Sequence, residues 1–204
     1  MPKSNDRSSK GKKGFLERVA DSVRGDAPES ESESNGTPAT ELLKSQHDEV
    51  RELFRQYDKA GENAHAARKR LIDEASRQLE IHSELEEKIF YPACRELENE
   101  DARKMVGESL EEHLIVKRLI KELRGLGGRD ETFESKASVL KENVEHHADE
   151  EERDLFPAAE KEFDDARLEE LGAQMEALKG RLTRAAGPRR RTGARSGARR
   201  EART

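Results

Sequence analysis

The sequence predicts an all-α protein, an antiparallel up-down four-helix bundle made of a duplicated αα-hairpin, with disordered N- and C-terminal segments. Three observations lead there. From Pro38 onward, apolar residues recur at the 3.6-residue helical period with almost no strand alternation. One phrase is written twice: His82, Glu86, Glu87 and Pro92 return as His147, Glu151, Glu152 and Pro157, with ten residues from His to Pro in each copy. Each copy follows a lone histidine, His47 lying 35 residues before His82 and His113 lying 34 before His147.

Residues 1–37 read as a segment outside the bundle. Its first 14 residues are rich in Lys, Ser and Gly, and Gly25–Gly36 has the Glu/Ser composition of a linker. Between them, Phe15, Leu16, Val19 and Val23 have the spacing of a short amphipathic helix over 15–23. The bundle and a C-terminal helix are expected over 38–180. A first helix over 39–60 stops at Gly61 and presents Leu43, Val50, Phe54 and Tyr57 on one face. A second over 64–97 aligns Ile72, Ala75, Leu79 and Ile89, and Pro92 should kink it because proline lacks an amide donor and crowds the preceding turn. The third covers 102–124 and ends in Gly125, Gly127 and Gly128. The fourth covers 132–155, with Phe133, Ala137, Leu140 and Val144 on its face, and continues with a kink past Pro157 to about residue 162. A further helix over 165–180 presents Leu168, Leu171, Met175 and Leu178. Residues 181–204 form an Arg-rich tail expected to be disordered.

Composition narrows the function. Charged residues make up 41% of the 204 and hydrophobic ones 32%, enough for one modest core. Aromatics are 4% and Trp is absent, so that core must be mainly Leu, Ile, Val and Ala. Cys94 is the only cysteine, which excludes an internal disulfide and gives no sign of an oxidising compartment. No apolar run approaches the ~18 residues of a membrane span. No apolar stretch of the secretory type follows the basic start. A cytoplasmic location is therefore expected. The net charge of -6 is segregated: residues 181–204 hold nine Arg and one Glu, net +8, so the other 180 residues hold net -14.

The duplicated histidines carry the chemistry. Steps of three and four place His82 and Glu86 on the stripe of Ile72, Ala75 and Leu79. The same steps place His147 and Glu151 on the stripe of Phe133, Leu140 and Val144. His47 falls between Leu43 and Val50, and His113 between Leu110 and Val116. Four imidazoles and two carboxylates thus point into one core. An ionised carboxylate buried without a partner is strongly unfavourable. A cation removes the penalty, and bundle cores build metal sites from inward His and Glu one turn apart. The candidate metal ligands are His47, His82, Glu86, His113, His147 and Glu151. Mixed N/O ligands accept iron, manganese or zinc.

These residues resemble the hemerythrin-like HHE cation-binding domain. The likeness covers about residues 39–162 and rests on the His, His-x3-Glu, His, His-x3-Glu pattern, both prolines, the run from Leu42 to Val50 around His47, and the run from His147 to Pro157. The resemblance implies a non-haem di-iron centre, two irons per chain, with the six named residues as ligands and both Glu carboxylates bridging. It implies a protein that binds or reacts with a small oxidant: oxygen, peroxide or nitric oxide. The chain departs from the oxygen-carrying members in two places. Lys117 stands one turn after His113, where they have a further histidine. Glu152, beside the better-placed Glu151, stands where they have an aspartate. Fewer protein ligands leave more open positions, which favours reaction with peroxide or nitric oxide, or sensing, over reversible oxygen carriage.

Other residues have plainer readings. His146 lies among polar neighbours and reads as exposed; His65 reads as surface. Glu87 and Glu152 divide evenly between accepting a ligand N–H and facing solvent. Tyr57 and Tyr91 read first as core packing, and Cys94 as a small buried residue. The Arg-rich tail has no stacking aromatics, so any nucleic-acid or anionic-surface binding through it would be non-specific and salt-sensitive. Two alternatives accompany the oxidant reading. One is a non-catalytic iron or oxygen sensor or iron-binding module; the other is a nucleic-acid-associated protein acting through the tail.

Overall fold

A computed structural model describes residues 36–186; the expected amphipathic helix at 15–23 and the tail beyond 186 lie outside them. Among the described residues there is no strand. The elements are α1 (Ala39–Lys59), α2 (His65–Leu85), a π-helical turn at Glu86–Phe90, α3 (Tyr91–Cys94), α4 (Glu100–Arg124), α5 (Glu131–Glu150), a second π-helical turn at Glu151–Leu155, α6 (Phe156–Glu162) and α7 (Asp165–Ala186). The last helix passes the expected boundary at 180 and reaches Ala186.

Local chemistry sets the boundaries. The Asn99 side chain accepts from the Ala102 amide at 3.1 Å and starts α4. The Asp130 carboxylate accepts from the Thr132 amide at 3.0 Å and starts α5. Gly128 lets the connection between them lie against α2, since a Cβ there would come within 2.4 Å of the His65 carbonyl oxygen. Gly172 does the same for α7, where a Cβ would sit 1.9 Å from the Thr37 carbonyl oxygen.

The kinks expected at Pro92 and Pro157 take a specific form. Each proline has no N–H for its preceding turn, and in each copy the turn widens. The Tyr91 amide bonds back to the Glu86 carbonyl and the Phe156 amide to the Glu151 carbonyl, both five residues earlier. The wider turn shifts the register. Ile89, expected on the inner face, is only partly buried, and Phe90 and Tyr91 fill the core instead. Regular helix stops at Cys94, short of the expected 97.

Cross-helix pairs show the up-down course. Between α1 and α2, Gln46 meets His82 and Tyr57 meets Arg68. Between α4 and α5, Glu112 meets His147 and Glu122 meets Lys136. Arg51–Asp149 and Asp58–Lys141 join α1 to α5, while Glu80–Arg124 joins α2 to α4. Every pair runs antiparallel. The face of α7 predicted from spacing, Leu168, Leu171, Met175 and Leu178, is buried, and α7 packs on α1, α2 and the turn at Glu86–Phe90.

The bundle has two apolar layers. One, at the loop end, contains Phe54, Ile72, Ile120, Phe133 and Leu140. The other, beneath α7, contains Leu43, Leu85, Phe90, Phe156 and Met175. Along every long bundle helix, the histidine of the duplicated pattern falls between residues of the two layers. The candidate site is therefore a polar layer enclosed by hydrocarbon on both sides.

Candidate metal centre

All six candidate residues converge in that layer, and all are buried. The histidines meet in two pairs. His47 and His82 bring their Nε2 atoms to 3.1 Å, and His113 and His147 bring theirs to 3.2 Å. The carboxylates span the pairs. Glu86 places Oε1 3.1 Å from His82 Nε2 and Oε2 3.3 Å from His113 Nε2. Glu151 places Oε2 3.5 Å from the Nε2 atoms of both His47 and His147. Two overlapping groups of metal-donor atoms result: His47, His82, Glu86 and Glu151 in one, and Glu86, His113 and His147 in the other.

Each imidazole is oriented by its second nitrogen. His47 Nδ1 contacts Glu152 at 2.8 Å, His113 Nδ1 contacts Glu87 at 2.8 Å and His147 Nδ1 contacts Glu112 at 2.8 Å. His82 Nδ1 contacts the Gln46 side-chain oxygen at 3.1 Å. In the neutral imidazole, donation of the Nδ1 proton to these acceptors turns the Nε2 lone pair toward the centre, the arrangement a metal-binding histidine requires. Lysine and arginine brace two of the acids. Arg51 donates to Glu152 at 2.8 Å, and Lys117 donates to both Glu87 oxygens at 2.6 and 2.7 Å. Lys117, at the position of the missing histidine, is thereby drawn outward from the cluster.

The inner carboxylate oxygens test whether a cation fits. Both oxygens of Glu86 and Oε2 of Glu151 are buried, with no hydrogen-bond partner among the described residues. Orphaned acceptors of this kind are rare in folded proteins and costly. Here they are turned toward four imidazole nitrogens, so the donor set matches a cation with mixed N/O ligation. The outer oxygen of Glu151 is satisfied differently: the Tyr91 hydroxyl donates to it at 2.8 Å. Tyr91 thus does more than the packing expected of it. Tyr57 lies in the loop-end layer, where its hydroxyl accepts from Arg68.

The electrostatics follow from burial and neighbours. Burial alone lowers the His47 pKa, but the nearby Glu151 carboxylate and the bond to Glu152 outweigh it and raise the value to about 9. Burial likewise opposes protonation of His147, yet the charge of Glu151 and the bond to Glu112 bring it to about 9. At His82 burial dominates and the pKa falls. Glu86 is held well below the usual carboxylate range, because His82 and His113 outweigh its desolvation. Burial, then the charges of Glu151 and Glu86, push the Tyr91 hydroxyl well up, so it keeps the proton it donates. Protons on His47 and His147 offset the two buried carboxylates; a cation entering the cluster displaces them.

Gln46 and Glu112 were not singled out in the sequence. The signal was present, because each immediately precedes a lone histidine, and alignment of the two hairpins superposes them. Glu87 and Glu152, evenly divided by sequence, both contact ligand-position imidazoles. His146 is exposed as expected, and Cys94 is buried, with its thiol pKa pushed up by desolvation.

Fold and site together define a helical-bundle protein whose core is organised around a His/Glu cation cluster. The chain belongs to the hemerythrin HHE cation binding domain family, which it matches over residues 39–159. Uncharacterized proteins of Mycobacterium tuberculosis and Mycobacterium bovis are each 34% identical over 140 residues, spanning 68% of this chain and 83% of the relative. The chain is also similar to the crystal structure of a hemerythrin HHE cation binding domain-containing protein from Mycobacterium kansasii. That likeness has 32% identity and a TM-score of 0.62, covering 73% of this chain and 89% of the other. Among the described residues, no helix is long and apolar enough to cross a membrane.

Proposed function

We propose that this chain is a cytoplasmic non-haem di-iron protein that binds or reacts with a small oxidant, namely oxygen, peroxide or nitric oxide. His47, His82, His113 and His147 would hold two irons through Nε2, with Glu86 and Glu151 bridging. Bound iron would supply the redox chemistry and the coordination positions for the oxidant. The single observation that carries this reading is the set of three unpartnered carboxylate oxygens facing four inward imidazoles.

The protein's own contribution is orientation and exclusion. Glu152, Glu87, Glu112 and Gln46 hold the imidazoles by Nδ1 and fix their tautomers. The Tyr91 hydroxyl holds Glu151 Oε1 and leaves Oε2 turned inward. The two apolar layers keep bulk water from the cluster, which strengthens every charge interaction inside it. With Lys117 committed to Glu87, the α4/α5 half offers only two imidazoles and shared carboxylates. That shortage favours reaction over reversible carriage.

The test is to load the full chain with ferrous iron without oxygen and then add oxygen, peroxide and nitric oxide in turn. The expected result is about two irons per chain, the number implied by two overlapping donor groups, and a visible charge-transfer band on oxidation. A chain that takes up no iron, or whose iron gives no spectral response to any of the three, refutes the reading.

A further inference from the structure

A third group of metal-donor atoms lies outside the buried cluster. Glu112 on α4 and His146 and Glu150 on α5 place one donor atom each within 4.8 Å of one another. His146 and Glu150 stand four apart, the same one-turn step as His147 and Glu151, displaced by one residue toward solvent. His146 Nε2 lies 3.6 Å from Glu150 Oε1 and 4.0 Å from Glu112 Oε1. Among the described residues, the other charge close to Glu150 is Arg153, at 3.8 Å.

Glu112 joins this group to the core. Its Oε2 is bonded at 2.8 Å to Nδ1 of His147, and its Oε1 lies 4.0 Å from His146 Nε2. The bond to a buried imidazole fixes the carboxylate before any ion arrives, so an ion at Oε1 bears little of the usual ordering cost of a surface side chain.

We propose that Glu112, His146 and Glu150 form a solvent-facing site for a first-row divalent cation, separate from the buried cluster. One imidazole and two carboxylates from two helices make a three-donor set, with water completing the coordination. A nitrogen donor selects a first-row transition ion over calcium or magnesium, which prefer all-oxygen sites.

The test compares the metal-free full chain with His146→Ala and Glu150→Gln. In a calorimetric titration with zinc, the unmodified chain is expected to show one weaker equivalent that both variants lack. Identical isotherms in all three chains overturn the site. Failure of the core reading looks different, as absence of the tighter equivalents from all three.

Discussion

The α1/α2 half and the α4/α5 half carry the same inward residues on different supports. Each contributes a lone histidine, then a His-x3-Glu pair that opens a π-helical turn ahead of proline. The bracing crosses between halves: Glu152 from the second half holds His47, and Glu87 from the first holds His113. Arg51 and Lys117 then brace those acids at matching positions. The symmetry breaks twice. The neutral Gln46 holds His82 where the anionic Glu112 holds His147. Tyr91 donates to Glu151, but its counterpart Phe156 stacks on His47 and donates nothing to Glu86. The difference teaches that duplication preserved the donor atoms and let their electrostatic setting diverge.

The largest expected effect tests what the halves share. Glu86 spans both histidine pairs, so Glu86→Ala should abolish metal retention in both halves, read as metal per chain after gel filtration. Retention of a full complement would show that the halves bind independently. Removing metal from the loaded chain with a chelator should destabilise it by ~4 kcal/mol if the working metal concentration is about 1,000 times the dissociation constant. Denaturant unfolding reads this, and no change would mean the cluster is stable without a cation.

Next come the points of asymmetry. Tyr91→Phe makes the two halves alike at that position and leaves Glu151 Oε1 without its donor. A hydrogen bond to a charged group contributes roughly 1.5–3 kcal/mol, so unfolding should become easier by about that much. A more stable variant would refute the assigned bond. Glu112→Gln also makes the halves alike, replacing the anion behind His147 with an amide. Outer partners of metal-bound histidines typically contribute 10–100-fold in affinity, so metal binding should weaken by roughly that factor. An unchanged affinity would show that the anion beyond His147 does not matter. The smallest effect is expected where the halves already match. Arg51→Ala and Lys117→Ala remove partly exposed ion pairs and should each cost only ~0–1 kcal/mol by the same unfolding measurement. A much larger loss at Lys117 alone would reveal an asymmetry that the contacts do not display.

The bundle, its helix order and all six candidate positions were legible because periodicity and duplication are linear signals. A residue three or four places from a buried leucine must share its face, and a repeated phrase reports a repeated environment. Ile89 marks where that logic stops. Its spacing puts it inside, but the turn before Pro92 widens, so Phe90 takes its place. Local periodicity carries no warning of an extra residue per turn.

Along the regular helices, the sequence by itself determined which residues face the core, because burial follows from apolar spacing along one helix. Only the tertiary structure decided what stands behind each ligand position. The acceptors Glu152, Glu87, Glu112 and Gln46 belong to helices 26 to 105 residues away from the imidazoles they hold. Which imidazole each one holds depends on helix crossing and side-chain reach, even where, as for Gln46 and Glu112, the hairpin alignment marks the position. That is why Lys117 reads in sequence as a lost ligand and in three dimensions as the brace of Glu87, and why Tyr91 reads as packing and acts as a donor to Glu151.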